Sequence, residues 1–276
     1  MRMVGGNLLK IGFLGGGKTA QAMAKGFISA GLVDAQNVAA SFSANDKVNR
    51  EAFKDMGAET YLDSIPVVKR SEVIFISVKP WVVPTVLEQV SASSANKLFI
   101  SVAMGLKLAE LEGSLLPTAR VIRVMPNTCT LVRAGASVFV RGKCATEDDC
   151  SLTQALFESV GTCDEVTETL IDPITALSGS GPGYVFTFIE AMADGAVKMG
   201  LSRDLAYKLA AQTVMGAGKM VLETGAHPGQ LRDDVASPAG STIEGLSFLE
   251  KHAFRSIVSG TIEAATLRCQ SISKNK

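Results

Sequence analysis

The amino-acid sequence predicts an α/β protein, with a first half built as a parallel sheet wound on both faces and a second half that is all helical. Three observations carry that prediction. At 276 residues and 47% hydrophobic content, the chain can bury a full core and divide into two domains. Through the first 165 or so residues, short apolar runs alternate with amphipathic stretches, which is the pattern of strand–helix–strand units. From Glu168 onward strand signals stop and apolar residues recur at i, i+3, i+4 spacing. Domains are therefore expected at 1–167 and 168–276.

Taken in order, LLKIGFL from Leu8, NVAAS, EVIFISVKP, KLFISVAM, RVIRVMP and ASVFVRG read as strands. They are β-branched or aromatic-rich and bounded by Gly, Pro or polar residues. Between them TAQAMAKGFISAG, DKVNREAFKDMG, VVPTVLEQV and KLAELEGSLL read as helices. In the second half, YVFTFIEAMADGAVKMG, SRDLAYKLAAQTVMGAGKMVLETG and the stretch from STIEGL to RCQSIS are helical, with Gly at the stops. Several are apolar around much of their circumference, more than one helical layer can bury, so this half is expected to pair with a second copy.

The stretch GFLGGGKTAQAMAKG supports two phosphate-binding registers. From Gly12 it reads G-x-x-x-x-G-K-T, a triphosphate loop, and from Gly15 it reads G-x-G-x-x-A, the dinucleotide turn. The first register needs a strand over a window containing Gly5, Gly6 and Asn7, which are poor strand formers. It also needs a carboxylate at the end of a neighbouring strand to hold magnesium, and VIFISV and KLFISVAM end at Lys79-Pro80 and Gly105 instead. The second register gives a Rossmann-like domain in which Gly15 turns, Gly17 lets the backbone approach a pyrophosphate and Ala20 permits close helix packing. Selection of NAD usually places an acid after the second strand. Here that strand ends at Ser41 and Phe42-Ser43 follows, so Ser41 and Ser43 either donate to a 2′-phosphate or cap the next helix. NADPH is expected to bind at least as well as NADH.

Composition narrows the partners. Lys plus Arg and Asp plus Glu number 27 each, so no broad basic field recruits nucleic acid or anionic membrane, and a small molecule is expected. No run reaches membrane length. Five cysteines without a C-x-x-C pair argue against both a disulfide framework and zinc, and favour a reducing compartment. Two histidines, His227 and His252, leave little for His-based metal or base chemistry, and no metal site is expected. MRMVGGNLLKIGFL leaves no room for a cleavable signal before the fold, so a cytoplasmic location is expected, with mitochondrial import left open.

Four separated motifs resemble the Δ1-pyrroline-5-carboxylate reductase family: IGFLGGGKTAQAMAKG, SVKP, VIRVMPNT, and LSGSGPGYVF followed by HPGQLRDDVASPAGSTIEGL. The resemblance implies NADPH or NADH as hydride donor, pyrroline-5-carboxylate as substrate, and a dimer with interlocked helical domains, commonly five dimers in a decamer. It assigns the cofactor loop to Leu14, Gly15, Gly16, Gly17, Lys18 and Thr19. Val78, Lys79, Pro80, Ala103 and Gly105 would flank the ribose and nicotinamide, with Asn127 close to the ring. Backbone groups at Gly240, Ser241 and Thr242 would hold the substrate carboxylate. Lys18-Thr19, Phe42, Ala44 and Cys129 depart from residues frequent in the family, which bears on cofactor preference.

Two readings coexist at Ser241-Thr242-Ile243-Glu244. It is an S-x-x-E capping box, and a helix N-terminus also suits a small carboxylate. A cyclic imine supplies its own reactivity once protonated, so an acid–base dyad is not demanded, and Thr242 is the candidate that hydrogen-bonds the ring nitrogen. Two other functions stand beside this one. A 3-hydroxyacid dehydrogenase-like enzyme needs a helical Lys with an Asn one turn on, which does not follow Gly181. An inactive cofactor-binding scaffold is opposed by intact Gly15, Gly17, Asn127 and Thr242.

Overall fold

A computed structural model describes residues 9–274. The expected strand start at Leu8, and the reading of the residues before it, fall outside them. The order is β1 (Ile11–Leu14), α1 (Lys18–Ser29), β2 (Val38–Ser41), α2 (Lys47–Asp55), β3 (Glu59–Tyr61), α3 (Ser64–Arg70), β4 (Val73–Ile76), α4 (Val83–Val90), β5 (Leu98–Ser101), α5 (Leu108–Gly113) and β6 (Arg120–Met125). Then come β7 (Gly135–Arg141), α6 (Glu147–Glu158), β8 (Gly161–Glu165) and α7 (Ile171–Ile174). The helices α8 (Gly181–Lys198), α9 (Arg203–Thr224), α10 (Pro228–Asp234), α11 (Ser241–Lys251) and α12 (Phe254–Lys274) complete the chain.

One sheet runs β3-β2-β1-β4-β5-β6-β7-β8. Every pairing is parallel except β6 with β7. The parallel sheet expected from the alternation is present, and the one antiparallel pair has a simple reason. A parallel return needs a crossover of a dozen or more residues, and only residues 126–134, which include the turn Thr128–Val132, separate these two strands. The strand alternation loads both faces. Ile11, Phe13, Val73 and Phe75 point into one core with α1 and α2, while Leu14, Ile74 and Ile76 point into the other with α3 and α4. The first core is aromatic: Phe13 stacks on Phe75 at 5.0 Å and meets Phe53 edge-on at 5.7 Å. Cys163 lies in that core, where burial first and the Asp164 and Glu158 charges second push its thiol up to about 12.

Two compact units result, one running to Gly179 with the chain from Thr266 onward, and one spanning Ser180–Ala265. The texture change at Glu168 precedes the unit boundary because the intervening residues pack with the sheet: Ile171 and Ala176 are fully buried, Ile171 within the second core. In the helical unit, Pro182 occupies the first turn of α8, where its missing N–H costs nothing.

Candidate active site

β1 stops at Leu14 because Gly15 turns left-handed, at φ +93°. A Cβ there would lie 2.6 Å from Val78 Cγ1, so both the conformation and the space require glycine. The turn is clamped from β4, where Ser77 Oγ donates to Gly15 O at 2.6 Å. From β2, Ser41 O accepts from Gly15 N at 3.2 Å. Gly16 lies under the Phe42 ring, 2.1 Å from where a Cβ would be. Gly17 is different: it caps α1 in extended conformation with no side-chain cap bond, and a Cβ on it would meet nothing within 4 Å. The first turn of α1 carries no acidic residue. Its unpaired N–H groups and partial positive charge therefore face open space, a setting suited to a pyrophosphate. Gly12 lies inside β1 and is buried, so the triphosphate register fails.

Strand order supplies the location. The sheet reverses direction of growth between β1 and β4, and ligands of doubly wound sheets bind in the crevice at such a switch point. Leu14, Gly15, Gly16 and Gly17 line up at that edge with Val78, Lys79 and Pro80 on the continuation of β4. Ala103, 6% exposed, and Gly105, at φ +76°, follow β5. A cavity of about 180 Å³ brings Thr19 together with Val102, Met104, Met125, Asn127 and Gly179. Lys18 instead lines a separate groove with Lys25 and Arg133.

Asn127 is held rigidly. Its Oδ1 accepts from Cys129 N at 3.1 Å and Ala136 N at 3.3 Å, and its Nδ2 donates to Ser178 O at 3.0 Å. The cavity wall is thus pinned from three directions. Ser178 belongs to a π turn, Thr175–Gly179, a geometry frequent at functional sites. The two serines considered at the 2′-position separate. Ser41 is 5% exposed and its hydroxyl bonds Ser64 Oγ at 3.0 Å, turned away from solvent, whereas Ser43 is exposed. Sequence reasoning missed Ser77, although it opens the SVKP motif, and Ser64, for which no sequence signal existed.

In the helical unit, Gly240 is the N-cap of α11, with φ −83° and ψ 169°, and no side-chain cap bond forms. The capping-box reading of Ser241 is therefore corrected: the helix starts at Ser241, one residue earlier in register than a Ser cap requires. Gly240 takes the cap because its N–H donates to Ser237 O at 3.1 Å, and a Cβ would sit 2.3 Å from Ser237 Oγ. Thr242 is half-buried, and its hydroxyl has no partner among the described residues. Among those residues no group of three His, Cys, Asp or Glu side chains gathers to hold a metal.

Comparison with known proteins matches residues 10–105 to the family described as NADP oxidoreductase, coenzyme F420-dependent, and residues 168–272 to pyrroline-5-carboxylate reductase dimerisation. The chain is 42% identical over 268 residues to pyrroline-5-carboxylate reductase 2 of Bos taurus, covering 96% of this chain and 84% of that one. It is 43% identical to pyrroline-5-carboxylate reductase 3 of Mus musculus, covering 96% of each. The chain belongs to the pyrroline-5-carboxylate reductase family. Solved members agree in fold: the Coxiella burnetii reductase superposes with TM-score 0.90 at 33% identity, over 97% of this chain and 99% of that one. The Plasmodium falciparum reductase, solved with NADP bound, gives 0.85 at 31% identity, over 96% and 98%. Membership sets aside the hydroxyacid dehydrogenase alternative, and the family's dimerisation region begins at Glu168, where the helical texture begins. Among the described residues no helix is long and apolar enough to cross a membrane.

Proposed function

We propose that this chain reduces pyrroline-5-carboxylate to L-proline with NADPH or NADH, the last step of proline biosynthesis. The observation that carries this reading is identity of 41% to 43% with named reductases across 96% of the chain, spanning both units. When bound, the dinucleotide supplies the hydride that the imine carbon accepts. Gly15, Gly16 and Gly17, with Leu14, Lys18 and Thr19, hold the pyrophosphate on the α1 N–H groups. Val78, Lys79, Pro80, Ala103 and Gly105 flank the ribose and nicotinamide, and Asn127 keeps the neighbouring wall in place. The open Gly17 and the acid-free start of α1 support that assignment.

On the helical unit, the backbone around Gly240, Ser241 and Thr242 receives the substrate carboxylate, with the N–H groups of Ser241 and Thr242 as donors, since that of Gly240 is bonded to Ser237 O. The unpartnered Thr242 hydroxyl hydrogen-bonds the ring nitrogen and orients the imine, which is activated by its own protonation. The residues 168–276 act as the dimerisation and substrate domain, and the working assembly is a homodimer, five of which make a decamer. The setting is a reducing one, cytoplasmic with mitochondrial import left open, in keeping with the free cysteines. The test is an initial-rate comparison of NADPH and NADH oxidation with pyrroline-5-carboxylate, with proline measured as product. Turnover with at least one cofactor is expected, and absence of imine-dependent oxidation with both removes the reading.

A further inference from the structure

We infer that Arg50 reads the 2′-phosphate of NADPH and so sets this chain's cofactor preference, an assignment that rests on the reductase reading above. The stretch after β2 carries no acid at the strand end where NAD-selective sites place one, since Ser41, Phe42 and Ser43 stand there. Ser41 cannot serve a ligand while its hydroxyl is buried against Ser64, and Phe42 is 5% exposed with its ring on Phe53. A cation is therefore needed from elsewhere to make a 2′-phosphate welcome.

Arg50 lies in the opening turns of α2, the helix that follows β2. It precedes Phe53 by three residues, so the two share a helix face, and Phe53 is fully buried in the core against Phe13 and Phe42. Arg50 thus stands on the sheet-facing side, one turn nearer the helix start. Side chains on a helix lean toward its N-terminus, which for α2 is the end beside the carboxyl edge of β2. Its Nε is shut off from solvent without a hydrogen-bond partner among the described residues, so the stem is packed in place. Among the described residues no ion pair engages its guanidinium there. The carboxylates on either side along the chain are engaged elsewhere: Glu51 pairs with Lys54 at 3.1 Å, and Asp46 accepts from Asn49 Nδ2 at 2.8 Å, Asn49 in turn accepting from Gln21 at 2.8 Å. A fixed, unpaired guanidinium is the group best matched to a phosphate dianion.

Calorimetry with adenosine 2′,5′-bisphosphate and 5′-AMP tests this on the full chain, independently of turnover. In Arg50→Met, which keeps the stem, affinity for the bisphosphate should fall about 10- to 100-fold, the size expected for a charge-assisted bond. 5′-AMP should bind within about twofold of wild type, and the NADPH-to-NADH ratio of kcat/KM should fall in step. An unchanged bisphosphate affinity, or a loss confined to Lys47→Ala, overturns the assignment. Failure of imine reduction with either cofactor would sink the reductase reading while leaving the bisphosphate result interpretable.

Discussion

Gly15, Gly16 and Gly17 answer three different physical demands, and substitution should separate them. Gly15→Ala forces a left-handed alanine against Val78 and should cost about 1–3 kcal/mol of stability. Gly17→Ala has room for its Cβ and should change stability by less than about 1 kcal/mol, yet it fills the space kept for the pyrophosphate. Melting temperature should fall for Gly15→Ala and hold for Gly17→Ala, while NADPH affinity collapses in both. A Gly17→Ala protein that binds NADPH normally would show that the open space is not the cofactor's. At the other end of the chain, Thr242→Val should keep the fold and lower kcat/KM about 10- to 100-fold, for loss of one hydrogen bond to a reacting nitrogen. Ser241→Ala should leave the melting temperature alone, because Ser241 makes no cap bond, and a drop of several degrees would restore the capping box. The turn at Gly15 was legible in sequence because its conformation admits almost no other residue. The inward turn of Ser41 was not, since its partner Ser64 opens a seven-residue helix too short to leave a periodic signal.

At the level of elements, legibility followed burial. Central strands such as VIFI are buried on both faces and announce themselves as apolar runs. The two edge strands β3 and β8, ETY and GTCDE, are at most partly buried except at Cys163 and carry no such run, so both were missed. What joins the sheet to the chain beyond it is polar and equally silent in sequence. Arg123 on β6, 9% exposed in its side chain, pairs with Glu168 at 2.9 Å, and the same carboxylate accepts from Leu108 N at the start of α5 at 2.8 Å. Glu168→Leu should cost about 3 kcal/mol, because it strands a buried guanidinium and a backbone N–H together. Adding Arg123→Met should recover part of that loss. Urea denaturation of the two single variants and the double variant forms the cycle, and additive costs would mean that the pair is uncoupled.

For the whole molecule, the helical unit poses a problem that a single chain does not solve. Among the described residues of that unit, the fully buried apolar side chains are only Ala193, Ala206 and Ala210. Phe186, Leu222, Phe248 and Ile257 remain 62%, 78%, 64% and 62% exposed. Covering one such side chain contributes about 1.5–3 kcal/mol, so several together offset the roughly 4–15 kcal/mol that association costs. The sequence carried this signal as helices apolar around their circumference, and what it could not specify was which residues stay uncovered in one copy. Ile257→Glu and Leu222→Glu test the point directly. Each forfeits apolar burial and asks a carboxylate to lie in a dry interface, a penalty of several kcal/mol. That should raise the dissociation constant by about a thousandfold or more. Light scattering at micromolar concentration should then show smaller assemblies, and imine reduction should fall in the same samples. Wild-type protein that scatters as a fully active monomer, or charged variants that keep wild-type mass, would place the covering surface elsewhere.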